Sequence, residues 1–563
     1  MRGRKLVVLA VSAMALVGVA IAPTASAAVA DGQKHCGSPV NGVFEKATPE
    51  EVGLSSEKLR EAAGFAASRG TLSFRVYRNG CEVFVGPYDG LVSDIPRNNF
   101  SHTKTVLALS ALRAQQLGII DIDEPIGEYV PETAEDVDPV KLTITTRQLL
   151  EMSSGMHTQY VWPETAAPDG VEIAYADPQD HAPGTFWEYN QIPLNLVPHV
   201  IESALGGDVD YQDWVQKEMF EPLGIPRDSW FWLRDRVGHT LGSHHLFSSP
   251  RHMALIGALM DGEGTVGGRE LIAKGLYDEL IKPLDHIGQP SYGLLTWLNS
   301  GDSYKTVGTI CTGDATLDRP LIESAPRDMY FSYGWRGIHT YEIPSLNMSV
   351  VQTTAPDAIT ADVLDTAQSV CSVEMGEFYH EFWRKVSAAV MDAPQPDPGP
   401  WHNPQPVRAP LDPELFTDQI TNGDLSRSIA VGPWAPKGCS PAGCDGKLYY
   451  EGYAKLSREA ITAISASLVR TLANITAGEE AGAALMGPDT LLPTGDVLGA
   501  AGRGVVEREL AAGCQDFRAG KDPHDVLSER RANVAPLGGA HGAEFGNAFT
   551  MAMADALPAF CTA

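Results

Sequence analysis

Ser101 and Lys104 stand three residues apart at the head of a stretch that reads as a loop turning into a helix, from Asn98-Asn99-Phe100-Ser101-His102-Thr103-Lys104 on to Gly118. Val106, Leu109, Leu112 and Leu117 recur near helical spacing as one apolar face, and Gly118 supplies the stop. On such a helix, residues three apart share a face. A serine hydroxyl is a weak nucleophile at its own pKa and needs an adjacent base. A lysine one turn away serves as that base if burial or a second cation depresses its pKa. Spacing alone does not decide the chemistry. Ser55-Ser56-Glu57-Lys58 has it too, ahead of Leu59, Ala62 and Ala63, and reads as a helix N-cap.

The surroundings of Ser101 separate the two. From Phe100 through Asp121, Asp123, Pro125, Tyr129 and Pro131, the chain resembles the nucleophile helix of the serine β-lactamase and penicillin-binding protein superfamily. The likeness is greatest to the class C branch and its related esterases and amide hydrolases. A second motif, Pro183-Gly184 followed by Tyr189-Asn190-Gln191, is similar to the family's Pro-Gly-x-x-x-x-Tyr-x-Asn. The resemblance implies that Tyr189 carries a proton, with Lys104 lowering a phenol pKa of ordinarily about 10. Gln191 stands where relatives have Asn, and its longer amide still offers a donor and an acceptor to a substrate carbonyl.

The third motif is Tyr333-Gly334-Trp335-Arg336-Gly337-Ile338. Penicillin-recognising relatives carry Lys or His where Trp335 stands, and Trp-x-Gly looks like the version in family VIII carboxylesterases. By that likeness the backbone N–H groups of Ser101 and Ile338 form an oxyanion hole. Gln191, Trp335, Arg336 and Gly337 are then the substrate-binding residues. Trp335 has one N–H and no charge, which favours an apolar acyl or alcohol group, whereas Arg336 could hold a carboxylate. On a strand the two project to opposite faces, and Trp335 is the residue expected to line the cleft.

Other chemistries fit less well. Gly-x-Ser-x-Gly and His-Glu-x-x-His are absent. His244 and His245 are adjacent, so on a strand they would face opposite ways and chelate poorly. His102 and His339 are expected to line or support the cleft. The reaction so read requires no metal and no cofactor.

The elements that must position these residues follow from patterning. Ser55–Ser68 reads as a helix, and Leu72–Arg78, Asn79-Gly80 and Cys81–Val85 as a β-hairpin. Residues 160–270 mix helix and loop. Ser291–Leu298, Met329–Tyr333, Ile338–Ile343 and Met348–Thr353 read as strands, and a helix from about Ala361 to Met391 would return over them. Early strands, a helical middle and late strands predict an α/β fold: an antiparallel sheet flanked by helices plus a largely helical subdomain. The resemblance implies the β-lactamase/transpeptidase-like version, over roughly residues 45–390.

A chain of 563 residues predicts more than one domain. A hydrophobic content of 44% and a charged content of 20% are those of an ordinary globular protein. A net charge of −29 argues against nucleic acids and anionic membranes as partners and leaves a small-molecule or peptide substrate. Basic Met1–Lys5, apolar Leu6–Ala22 and Ala25-Ser26-Ala27 predict a signal peptide over 1–27, and no later run is long enough to span a membrane. Export to an oxidising compartment suits the eight cysteines. Grouping by domain pairs Cys36 with Cys81 and Cys311 with Cys371, and leaves two pairs among Cys439, Cys444, Cys514 and Cys561. Zinc is the alternative for Cys439 and Cys444, although their spacing is long for a ligand pair.

The expected organisation is a hydrolase domain over 28–392, a stiff Pro-rich linker over 393–413, and a small, mainly helical, disulfide-containing module over 414–563. Helices are expected there over Lys447–Ile475 and Gly502–Ala512, and the module's function and partner are not legible. The reading is of an exported serine hydrolase forming an acyl-enzyme, a carboxylesterase for small esters. The alternatives are a D-Ala-D-Ala peptidase, β-lactamase or amide hydrolase using the same residues, and a catalytically silent ligand-binding or cell-surface protein.

Overall fold

A computed structural model describes residues 32–68, 71–86, 97–130, 137–157, 169–235, 237–305, 316–334, 337–354 and 376–402, together with Asp89 and scattered positions between 504 and 536. The predicted hairpin is present as β1 (Thr71–Arg78) and β2 (Cys81–Val85). Asn79 and Gly80 both have positive φ, 52° and 74°, as a two-residue type I′ turn needs. Gly80 is also required by packing, since a Cβ there would meet the Cys36 carbonyl at 2.6 Å. That close approach lets the Cys36–Cys81 disulfide tie the N-terminal segment to the hairpin, as its sequence grouping suggested. The other six cysteines lie outside the described residues.

Three short strands, β3 (Arg97–Asn98), β4 (Phe231–Trp232) and β5 (Leu246–Ser248), pair with one another. The site rests on a six-stranded antiparallel sheet that contains, besides the hairpin, β6 (Trp297–Leu298), β7 (Tyr330–Gly334), β8 (Ile338–Ile343) and β9 (Met348–Thr354). The strand order is β2-β1-β9-β8-β7-β6, so the last long strand closes on the first. Side chains of β8 alternate between the two faces. His339 and Tyr341 pack against Tyr379 and Trp383 of a helix over Glu377–Ala388. On the other face, Thr340 bonds His102, and Glu342 lies against Gly257 of a helix over Pro250–Asp261. The helix headed by Ser101 spans His102–Gln116 on this second face.

Several expectations need correction. Of Ser291–Leu298 only Trp297–Leu298 is strand: Leu295 has a φ of 50°, and the Gly293 N–H bonds the Thr296 carbonyl at 2.8 Å, so the chain turns here. Leu117 is exposed rather than part of the apolar face, and residues 102–114 are buried on every side. The helix expected over Ala361–Met391 is present over Glu377–Ala388, bounded by an extended Gly376 before it and by the Leu54–Val390 bridge after it, while 355–375 lie outside the described residues. Trp335 and Arg336 lie outside them too, as do Lys447–Ile475. Helix is present over Pro523–Val534, where Arg530 bonds Glu509 at 3.0 Å. No described helix is long and apolar enough to cross a membrane.

The start of the expected linker is not free. Asp397 holds Arg384 at 2.7 and 2.9 Å, the Gly399 carbonyl bonds the His380 ring at 2.9 Å, and the Trp401 N–H donates to Glu381 at 2.8 Å. Residues up to Trp401 therefore pack on the helix Glu377–Ala388 and, through it, on the sheet. A chain ending at Ala393 is expected to melt roughly 3 °C below one ending at His402, because the His380–Gly399 and Trp401–Glu381 hydrogen bonds, about 1 kcal/mol each, are lost. Equal melting temperatures in differential scanning calorimetry would show that this segment contributes nothing.

Candidate active site

The Ser101 turn is built from backbone and amide contacts. Asn99 pairs its N–H with the Leu246 carbonyl at 2.8 Å, which joins Asn98 and its neighbours to a short strand over Leu246–Ser248. The Asn98 side chain accepts from the Phe100 N–H at 2.9 Å, and Phe100 takes a φ of 45°. A non-glycine residue in the left-handed region is held there only by such surroundings. Gly334, at the end of β7, allows the sheet to meet this turn: a Cβ there would lie 2.3 Å from the Asn99 carbonyl. The end of β7 is thereby brought against the residues that precede Ser101. Gly337, just before β8, has a φ of 77°, a conformation suited to glycine, and Ile338 follows it.

The Ser101 side chain makes no capping bond to its helix. Instead its Oγ lies 3.0 Å from Lys104 Nζ, and the hydroxyl is near enough to the Tyr189 phenol to act on its pKa. Ser55 behaves otherwise. Its Oγ accepts from the Lys58 N–H at 3.3 Å, while Lys58 reaches out to Glu61. The two Ser-x-x-Lys sequences thus differ in where the hydroxyl goes.

Lys104 is only 1% exposed. Besides Ser101, its Nζ bonds Gln191 Oε1 at 2.5 Å and the Ser243 carbonyl at 2.7 Å. In the amine form, two N–H groups serve those two carbonyl oxygens, and the lone pair is left facing the Ser101 hydroxyl. This is the geometry of a general base beside its nucleophile. Gln191 therefore holds Lys104 through its oxygen, a role not assigned to it from sequence. Asn190 turns the other way and donates to the Met156 and His157 carbonyls at 3.2 and 3.0 Å, anchoring the loop behind the site.

Tyr189 stacks on Trp297 at 6.2 Å between centroids, with Lys104 Nζ 5.0 Å from its ring centroid. The expected lowering of its pKa is overturned. Burial pushes the phenol above its ordinary value, and the Ser101 hydroxyl opposes this only in part. Tyr189 is accordingly a neutral phenol at neutral pH, suited to passing on a proton rather than to acting as a standing phenolate.

The histidines are supports. His102 Nε2 bonds Thr340 at 2.9 Å and is buried, which depresses its pKa to about 3. His339 is equally buried, on the sheet face away from Ser101, so it does not line the cleft. His244 and His245 are not on a strand: His245 has a φ of 63°, and their rings meet at 4.1 Å with the two Nδ1 atoms bonded. Burial, then the neighbouring Lys104, holds His244 well below the usual histidine value. Ser243 and Trp297 were missed from sequence. Ser243 contributes a backbone carbonyl, which no residue pattern signals, and Trp297 was visible only as a strand aromatic.

Residues 61–281 match the family model described as Beta-lactamase. A lovastatin esterase of Penicillium rubens is 28% identical over 210 residues, covering 31% of this chain and 51% of the esterase. An ML-236A carboxylate methylbutanoyltransferase of Penicillium citrinum is 29% identical over 170 residues, covering 25% of this chain and 39% of the transferase. The chain thus spans about half the length of the first relative and two fifths of the second. A crystal structure of a family VIII carboxylesterase superposes with a TM-score of 0.41 at 16% identity, over 54% of this chain and 92% of that one.

Proposed function

We propose that this chain, whose residues 61–281 belong to the Beta-lactamase family, is an exported serine hydrolase working through an acyl-enzyme on small carboxylic esters. The observation that carries the reading is the Ser101 hydroxyl, turned from its own helix toward the Lys104 amine and the Tyr189 phenol. Ser101 Oγ attacks the ester carbonyl and Lys104 takes its proton. The N–H groups of Ser101 and Ile338 receive the developing oxyanion. Tyr189 relays a proton to the leaving alcohol, and in deacylation the same pair takes a proton from water. The relatives named as an esterase and an acyltransferase support acyl chemistry on an oxygen nucleophile. The Cys36–Cys81 disulfide supports an oxidising compartment.

The ester preference rests on Trp335. A Lys or His at this position would give a substrate carboxylate a charged hydrogen bond of about 1.5–3 kcal/mol. Without it, short-chain nitrophenyl esters are expected to be turned over at least ~10-fold faster, in kcat/KM, than a chromogenic cephalosporin, a penicillin or a D-Ala-D-Ala peptide. Cephalosporin hydrolysis faster than ester hydrolysis, and lost in Arg336→Ala, would show that Arg336 supplies the missing cation. Transfer to an alcohol acceptor is the second reading, favoured by the transferase name of one relative. Added alcohol would then divert the acyl group from acid to ester.

A further inference from the structure

Away from the serine site, one cluster of side chains has the composition of a metal-binding set. His199 and Glu202 lie three residues apart on the helix Leu196–Ala204, so they share one face of it. His239 comes from a turn closed by the Arg234–Thr240 bridge. One ligand atom from each of the three lies within 4.8 Å of the others. We propose that His199, Glu202 and His239 bind a zinc-type divalent cation, which staples the helix Leu196–Ala204 to the 234–240 turn.

The details of each ligand fit that role. Glu202 uses Oε1 to accept the Tyr211 N–H at 2.8 Å, which leaves its second oxygen for an ion. His239 turns Nε2 toward Asp169 at 3.8 Å, while its Nδ1 is buried with no hydrogen-bond partner among the described residues. A ligating histidine characteristically offers one nitrogen to the metal and the other to a carboxylate. A buried imidazole nitrogen left without a partner is costly, and a cation there would satisfy it. The turn is fixed in advance: Asp235 Oδ1 accepts the N–H groups of Val237, Gly238 and His239 at 3.1, 2.8 and 2.9 Å.

Ring geometry agrees. The His199 and His239 centroids are 5.4 Å apart, with the planes crossed at 84°. Two imidazoles on one tetrahedral ion, with Zn–N near 2.0–2.1 Å, have centroids roughly 5 Å apart. The donor atoms themselves would draw in to about 3.4 Å, a movement of side chains only. Two neutral imidazoles and one carboxylate select zinc over calcium or magnesium, which take six or more oxygens, and water completes the tetrahedron. The site would also join segments that hold Lys104. Gln191 lies just before the helix carrying His199, and Ser243 lies four residues after His239.

The test uses the full chain without a histidine tag, stripped with chelator and titrated with zinc sulfate in calorimetry. One zinc per chain is expected, and saturating zinc should raise the melting temperature by several degrees. His239→Ala and Glu202→Gln should each weaken binding by at least ~100-fold and remove the thermal shift. X-ray absorption of the wild-type zinc form should show nitrogen and oxygen neighbours near 2.0 Å, a readout that does not depend on any variant folding. No zinc uptake, uptake unchanged in His239→Ala, or sulfur neighbours near 2.3 Å would each overturn the proposal.

Discussion

Ser101→Ala is expected to remove all labelling by a fluorophosphonate probe and to lower kcat by at least ~10³ while leaving the fold intact. The loss is chemical, because Ser101 is the nucleophile that Lys104 and Tyr189 both contact. Stability should hardly change, because the Ser101 hydroxyl caps nothing and is only partly buried. Ser55→Ala is the matched control. There the hydroxyl does serve its helix, so about 1 kcal/mol of stability should go, with activity per folded molecule unchanged. The same tetrapeptide spacing should therefore give opposite results at its two occurrences, read by probe labelling and by urea denaturation. Labelling that survives Ser101→Ala would remove this serine from the mechanism.

What made Ser101 legible was local. Its helix, the Asn79-Gly80 hairpin and the alternation in Ile338–Ile343 each depend on a few neighbouring residues, and each is present. The Gly118 stop is of the same kind. Gly118 takes a φ of 67°, its N–H bonds Gln115, and the Ile119 N–H bonds Ala114, a Schellman closure that forms the stop read from the sequence.

What failed depended on contacts from afar. Leu117 fits the apolar periodicity of its helix, but that helix runs between the sheet and the helical subdomain and is buried on all sides over 102–114. Period then carries little information. Ser291–Leu298 has the composition of a strand, yet Gly293 is pressed so close to the Leu280 carbonyl that a Cβ would lie 2.2 Å from it, and the chain turns. Pro394–Trp401 has the composition of a linker but is held by Arg384, His380 and Glu381. The Tyr189 pKa went astray for one reason. The sequence put a cation beside the phenol, but how far water is excluded depends on Trp297 and the walls around it.

That correction decides how the two proton carriers divide the work. Lys104→Met keeps the side chain's length and apolar stem but removes the group that takes the serine proton, and kcat is expected to fall by about 10³. The Gln191 and Ser243 oxygens then lose a donor inside the protein, so about 1–3 kcal/mol of stability should go as well. The variant must be assayed where circular dichroism shows it folded. Tyr189→Phe leaves the base in place and removes only the relay, so a smaller fall in kcat, about 10², is expected. Because burial raises the phenol above its ordinary value, Tyr189 stays protonated across the neutral range. The limb over which kcat/KM rises with pH should therefore not come from Tyr189 and should persist in Tyr189→Phe. If Tyr189→Phe abolishes that limb and Lys104→Met leaves it in place, the phenolate is the base and Lys104 its counter-ion, despite the burial of the ring.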